Sequence, residues 1–268
     1  MFGTLEAFRT RPIPDLSAER DARKGSRQHP IDTTDARYAE SLVDLRTLSI
    51  TGSNHYYRED NPPYWERIPG SIPELYVRTS LAEKLARINQ TLAPHFEVFV
   101  HDAWRPQKIQ TYFHETWFPA YLRNLHPEWS EEQVQEETGN YWAKGVARED
   151  LIDLASPSPH STGGVVDLTL RVKGGDLLWM GMQFDDCGPW AHADYLEHHS
   201  DGSLSAEEAK KNRRLLYWLM TEEGFMVNPN EIWHASLGDQ MWAKIGSCRD
   251  GTTKPAYFSA AKPVTYTE

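Results

Sequence analysis

The sequence predicts an α+β fold: one domain in which a central, mostly antiparallel sheet is packed by helices. Three observations predict it. Residues 165–172 alternate cleanly, with Val165, Asp167, Thr169 and Arg171 on one side and Val166, Leu168, Leu170 and Val172 on the other, which is the period of a strand. Residues 79–92 place Leu81, Leu85, Ile88 and Leu92 at helical spacing. Strands and helices of this kind occur without a repeating βαβ unit, so a doubly wound parallel sheet is not indicated. The 268 residues suffice for one full core, and one large domain is expected rather than two.

Taken in order, residues 1–37 are rich in Pro, Asp, Arg and Ser and show no sustained periodicity. They are expected to form an N-terminal arm, partly irregular, lying over a domain of residues 38–268. Residues 41–50 alternate as a strand would, and 51–64 form a polar and aromatic loop with Asn54, His55, Tyr56, Tyr57 and Tyr64. That loop suits a pocket wall or a surface loop anchored by its tyrosines. After the helix of 79–92, residues 96–102 read as a strand from their β-branched and aromatic content. Pro106 then keeps Arg105 out of helical geometry and suits the first turn of a new helix, which runs through Ile109, Tyr112, Phe113 and Phe118. Arg105 therefore sits at a strand-to-helix junction.

Residues 126–146, with Glu131, Glu132, Glu136 and Glu137, read as an inserted helical segment with a solvated face. Lys173-Gly174-Gly175-Asp176 is expected to be a hairpin turn leading into a strand at 177–180, and 187–203 a polar loop. Residues 205–223 form the clearest helix. Ser205 and Glu208 suit its capping box, and Gly224 its end. Two strands, 225–227 and 232–237, follow on either side of Asn228-Pro229-Asn230.

The chemistry gathers at two places. In Ser158-Pro159-His160-Ser161-Thr162-Gly163-Gly164-Val165-Val166-Asp167, paired glycines let the chain turn, so His160 can come back over the start of the strand that carries Asp167. In Glu231-Ile232-Trp233-His234 the three-residue spacing would put both side chains on one side of a helix, but Asn228-Pro229-Asn230 excludes a helix there. His234 is therefore expected on a strand, with Glu231 in the turn before it. Two imidazoles and one carboxylate suit a zinc ion that keeps a position open for water, with Glu231 beside it as general base.

Three more stretches complete a pattern: His101-Asp102-Ala103-Trp104-Arg105-Pro106, Met180-Gly181-Met182-Gln183-Phe184-Asp185 and Asn212-Arg213-Arg214-Leu215. In this order the five motifs resemble the VanX-type D-alanyl-D-alanine dipeptidases, zinc peptidases of the lysostaphin and hedgehog-like metallopeptidase fold. The similarity runs from about residue 42 to the end. It implies one zinc ion per chain held by His160, Asp167 and His234, with the metal site on the sheet face. Glu231 would move the water proton to the leaving amine, and Arg105 would steady the charge that develops on the carbonyl oxygen. Asp185 would hold the substrate ammonium and Ser158 its carboxylate. The substrate implied is D-alanyl-D-alanine or a related small dipeptide. Two rivals are a carboxypeptidase acting on longer cell-wall peptides and a zinc-stabilised binding protein, against which Glu231 speaks. His192, Glu197, His198 and His199 are read as solvated, and His101 as lying on the sheet face without a role. Ile232 departs from the family's usual Glu-Trp-Trp-His, a change expected to alter the pocket wall. Residues 51–64 depart from the family's substrate-facing stretch.

Composition narrows the partners. A formal net charge of −11 argues against nucleic acid or an anionic membrane as the main partner. No apolar run approaches the roughly 20 residues that a spanning helix needs. The first nine residues do not read as a secretory signal, and two cysteines make no disulfide framework. A cytoplasmic enzyme is expected, with its oligomeric state left open.

Overall fold

In the computed structural model, which describes residues 2–266, the first half of the chain forms α1 (Phe2–Thr10), α2 (Ser17–Arg23), β1 (Leu42–Asp44), β2 (Thr51–Gly52), β3 (Tyr76–Arg78), α3 (Thr79–Leu92) and β4 (Phe96–Asp102). Next come α4 (Gln107–Tyr112), α5 (Phe118–Leu125) and α6 (Glu131–Tyr141), with one wide π turn, Phe113–Trp117, joining α4 to α5. The second half forms β5 (Val165–Val172), α7 (Tyr195–His199), α8 (Leu204–Glu222), β6 (Met226–Val227), β7 (His234–Ser236) and α9 (Gln240–Asp250).

Five strands make one sheet in the order β2-β4-β5-β7-β6. Only β2 and β4 are parallel; the other neighbours are antiparallel. The expected α+β class with a mostly antiparallel sheet is what the chain forms. β1 and β3 pair separately. β5 is central because its alternation serves two needs. Val166, Leu168 and Leu170 enter the main core with Leu81, Leu85 and Ile88 of α3 and Leu215, Leu216 and Leu219 of α8. Each such side chain contributes about 1.5–3 kcal/mol on burial. The other face carries Asp167, which is also buried, and becomes the floor of the site. A second core of Tyr56, Tyr64, Ile109, Phe113, Phe118 and Trp142 joins the 51–64 loop to α4, α5 and the segment around α6.

Several expectations change. The N-terminal arm carries two helices that its composition does not indicate, with irregular stretches between and after them: α1 packs on α8 and α2 on α9, with Leu5, Ile13 and Leu16 buried. Its apolar residues are too few to show a period, and docking stabilises helices that would be marginal alone. The strand expected over 41–50 stops at Asp44, whose carboxylate accepts from the backbone N–H of Arg46 and starts a 3-10 turn, Leu45–Leu48. The strand expected at 177–180 is reduced to a single bridge between Arg171 and Leu177. Side chains of α8 take the carbonyls that a ladder would use: Asn212 Nδ2 donates to Trp179 O at 3.0 Å and Arg213 Nε to Met180 O at 2.6 Å.

The 187–203 loop contains a 3-10 turn, Pro189–Ala191, and α7. Within it Glu197 is not solvated, since both its oxygens bind Arg214 at 2.6–2.7 Å. The cap of α8 lies two residues before the expected one. Ser203, not Ser205, caps it, its Oγ accepting from Ala206 N at 3.2 Å. α9 has no counterpart in the sequence reading; Asp239 caps it by accepting from Trp242 N at 2.8 Å.

Candidate metal centre and active site

Sheet register builds the site. Asp167 on β5 is paired with Asp102 on β4 and with His234 on β7. Directly opposed residues of antiparallel neighbours point to the same face, so the three carboxylate and imidazole groups form one row. On β4 this requires a bulge. Val100 pairs with Leu168 and Asp102 with Asp167, which leaves His101 as the extra residue. His101 is turned away to stack on Phe184 at 4.4 Å.

His160 reaches the same place from a 3-10 turn, Pro159–Thr162, which Gly163 ends at φ +68°. A Cβ on Gly163 would lie 2.2 Å from Leu42 Cδ2, so both the conformation and the space call for glycine. His160 Nδ1 donates to Ala103 O at 2.7 Å, which turns Nε2 toward Asp167 Oδ2, 3.3 Å away. His234 Nδ1 lies 3.1 Å from Asp167 Oδ1. Ligand atoms of His160, Asp167 and His234 all fall within 4.8 Å of one another.

The donor set fits a divalent metal. Asp167 Oδ1 is buried and has no hydrogen-bond partner among the described residues, although it faces His234. Burial lowers the pKa of both histidines, which favours the neutral imidazole, the form that ligates. Burial pushes the Asp167 carboxyl up while Arg105 opposes it. A cation between the three side chains would hold the carboxylate ionised.

Glu231 lies in the turn before β7, as the sequence predicts. Its Oε2 is 3.5 Å from His234 Nδ1 and accepts from Asn228 Nδ2 at 3.0 Å. Burial raises its carboxyl above the ordinary glutamate value, which favours a group that both takes and returns a proton. Arg105 is buried with its guanidinium divided between two duties. Nε donates to Asp102 Oδ2 at 2.8 Å, and Nη2 lies 3.2 Å from the Tyr56 hydroxyl and 3.3 Å from both Asp167 Oδ2 and His160 Nε2. Asn54 Nδ2 in turn donates to Asp102 Oδ1 at 3.2 Å.

Asp185 is placed by the aromatic loop. Tyr56 and Tyr64 both donate to its Oδ2, at 2.8 and 2.5 Å. Arg105, Asp185, Glu231 and the three candidate ligands all line one cavity of about 810 Å³. Ser158 does not line it. Ser158 is buried, its hydroxyl lies 3.4 Å from Gln107 Nε2, and its carbonyl accepts from Ser161, so it shapes the turn that presents His160.

A family described as D-Ala-D-Ala dipeptidase matches residues 74–250, a span that contains Arg105, Ser158, His160, Asp167, Asp185, Glu231 and His234. The chain belongs to this family. A D-alanyl-D-alanine dipeptidase of Synechocystis sp. is 30% identical over 70% of the chain and 78% of its own length. One from Enterococcus faecium is 29% identical over 60% of the chain and 72% of its own length. A crystal structure of a vancomycin-resistance D,D-pentapeptidase in complex with Zn(II) covers 84% of the chain and 90% of its own, at 12% identity and a TM-score of 0.39, too loose an overlap to argue from. The class expected from the motifs, a dipeptidase, is borne out by the family and these relatives.

Within this dipeptidase-family site, some contributors were not legible beforehand. The sequence marks Tyr56 and Tyr64 only as a pocket wall or surface anchors, not as partners of Asp185. Trp142, from the inserted segment, stands with Arg105 5.2 Å from its ring centre. Arg213, inside a recognised motif but without a role there, is fully enclosed and holds Met180 O, Trp190 O and His192 O, which ties down the loop that carries Asp185. Ile232 does not alter the pocket wall: it sits in the main core, and Trp233 lines the cavity instead.

Proposed function

We propose that the protein is a cytoplasmic dipeptidase with one zinc ion per chain, held by His160, Asp167 and His234, and that it hydrolyses D-alanyl-D-alanine or a closely related small dipeptide. The observation that carries this is the meeting of three ligand-type side chains within 4.8 Å, with the Glu231 carboxylate 3.5 Å from one of them. Zinc bound there would acidify a water molecule and polarise the scissile carbonyl. Glu231 accepts the water proton and passes it to the leaving amine. Arg105, fixed by Asp102 and Tyr56, presents Nη2 to the carbonyl oxygen as it gains charge. Asp185, steadied by two phenols, pairs with the substrate ammonium. Two unpaired cysteines, Cys187 and Cys248, fit a reducing compartment.

Two tests follow from the site. Elemental analysis of purified, zinc-reconstituted protein should give one zinc per chain, and chelation should abolish activity reversibly. His160→Ala, Asp167→Ala and His234→Ala should each lose metal and activity together. Absence of stoichiometric metal after reconstitution would remove the basis of the reading.

The second test concerns Asp185. A carboxylate stripped of its counter-charge in a desolvated pocket costs several kcal/mol, so an N-acetylated dipeptide should be a far poorer substrate than the free one. Asp185→Ala should narrow that gap, mainly by damaging the free dipeptide. If N-acetyl-dipeptides or tripeptides are cleaved as fast as free dipeptides, with Asp185→Ala indifferent, a carboxypeptidase acting on longer peptides takes its place.

A further inference from the structure

One wall of the cavity is built by a stretch outside the family match: residues 23–28, at the end of α2 and in the turn after it. Buried polar ties hold this stretch in place. Glu19 pairs with Arg249 through two hydrogen bonds of 3.0 Å, and Arg20 pairs with the enclosed Asp194. Gln240 Nε2 donates to Arg27 O at 2.9 Å and to Ala155 O at 3.0 Å. Arg27 Nε donates to Ser156 O at 3.2 Å. The arm is thus fixed against the catalytic domain rather than resting on it.

Arg23 is the exception in this network. Its side chain makes no hydrogen bond or ion pair among the described residues, and its Nε is enclosed without a partner. Leaving a guanidinium donor unfilled in an enclosed position is unfavourable unless a ligand supplies the acceptor. The other cationic groups on the wall are engaged or solvated. Lys24 pairs with Asp21 at 2.9 Å, Arg27 is held by Ser156 O, Arg105 is divided between Asp102 and Asp167, and Lys144 is exposed.

The charges around the site have a direction. Asp185 stands with Tyr56 and Tyr64, and Tyr56 also meets Arg105. Arg23 acts electrostatically on Glu231, His234 and His192. A free dipeptide carries an ammonium at one end and a carboxylate at the other. Asp185 suits the first, and Ser158, off the cavity wall, does not serve the second.

We propose that Arg23 binds the C-terminal carboxylate of the substrate, so that the N-terminal arm completes the peptide site. This rests on the dipeptidase reading above. Arg23 is a substrate-binding residue supplied by a segment that the family's own motifs do not include. A guanidinium can meet a carboxylate through two parallel hydrogen bonds, which gives it orientation as well as charge.

The test compares D-alanyl-D-alanine with its C-terminal amide, using zinc-loaded wild-type, Arg23→Gln and Arg23→Lys enzymes. Wild-type should prefer the free acid. Arg23→Gln should raise KM for the free acid roughly 10–100-fold, as expected for a lost charged hydrogen bond, and leave kinetics on the amide nearly unchanged. Arg23→Lys should recover part of the loss, and the penalty for N-acetylation should persist in all three enzymes. Equal losses on acid and amide, or no loss on either, would overturn the assignment while leaving the dipeptidase reading intact. A wild-type enzyme that hydrolyses no free dipeptide would sink both.

Discussion

Glu231→Gln is expected to keep its zinc and lose roughly 10²–10⁴-fold in kcat, the contribution typical of a positioned general base. The substitution is close to isosteric. Its amide oxygen can still accept from Asn228 Nδ2, as Glu231 Oε2 does at 3.0 Å, so the turn before β7 should be undisturbed. Glu231 is not needed among the three ligands, whose donor atoms gather without it. What the amide cannot do is take a proton from water and return it to the amine. Metal content and kcat measured on the same preparation separate these two duties. A Glu231→Gln enzyme with zinc bound and near wild-type turnover would remove Glu231 from the mechanism, and loss of zinc would make it a ligand instead.

Arg105→Ala should damage the enzyme in two ways that can be measured apart. Loss of a donor to the developing oxyanion typically costs about 2.7–4 kcal/mol in the barrier, or roughly 10²–10³-fold in kcat. Loss of the partner of Asp102, a carboxylate with no exposed surface, should destabilise the fold by about 3–5 kcal/mol. Thermal melting reports the second effect, and kcat of the folded fraction the first. Arg105→Lys should restore part of the stability and little of the rate. One ammonium cannot reach Asp102 with one arm and Tyr56 and Asp167 with another, as the guanidinium does through Nε and Nη2. If Arg105→Ala lowers the melting temperature and leaves kcat intact, Arg105 serves only as the structural partner of Asp102.

Much of the site was legible from residue type and spacing. The alternation over 165–172 placed Asp167 on the polar side of a strand, and the Asn228-Pro229-Asn230 turn put His234 on a strand with Glu231 ahead of it; both hold. Pro106 set Arg105 at a strand-to-helix junction, where the guanidinium now reaches the candidate ligands. These inferences rest on local backbone chemistry, in which period, proline and glycine act within a few residues. The same local logic failed where distant side chains intervened. Asn212 and Arg213 of α8 took the carbonyls of residues 179 and 180, and so left a single bridge where a strand was expected.

By itself, then, the sequence determined the fold class, the order of the motifs and the chemical identity of the candidate ligands, because each depends on short-range periodicity and on which atoms a side chain carries. Only the tertiary structure decided what stands beside what. The bulge at His101 is invisible in the alternation of β4, yet it shifts Asp102 into line with Asp167 and turns His101 against Phe184. Tyr56 and Tyr64 met Asp185 across more than 100 positions of chain, and the arm brought Arg23 to a cavity otherwise built by the family's segment. Such contacts arise when separate apolar faces are buried together, and the polar side chains carried along with those faces find partners that no local pattern specifies.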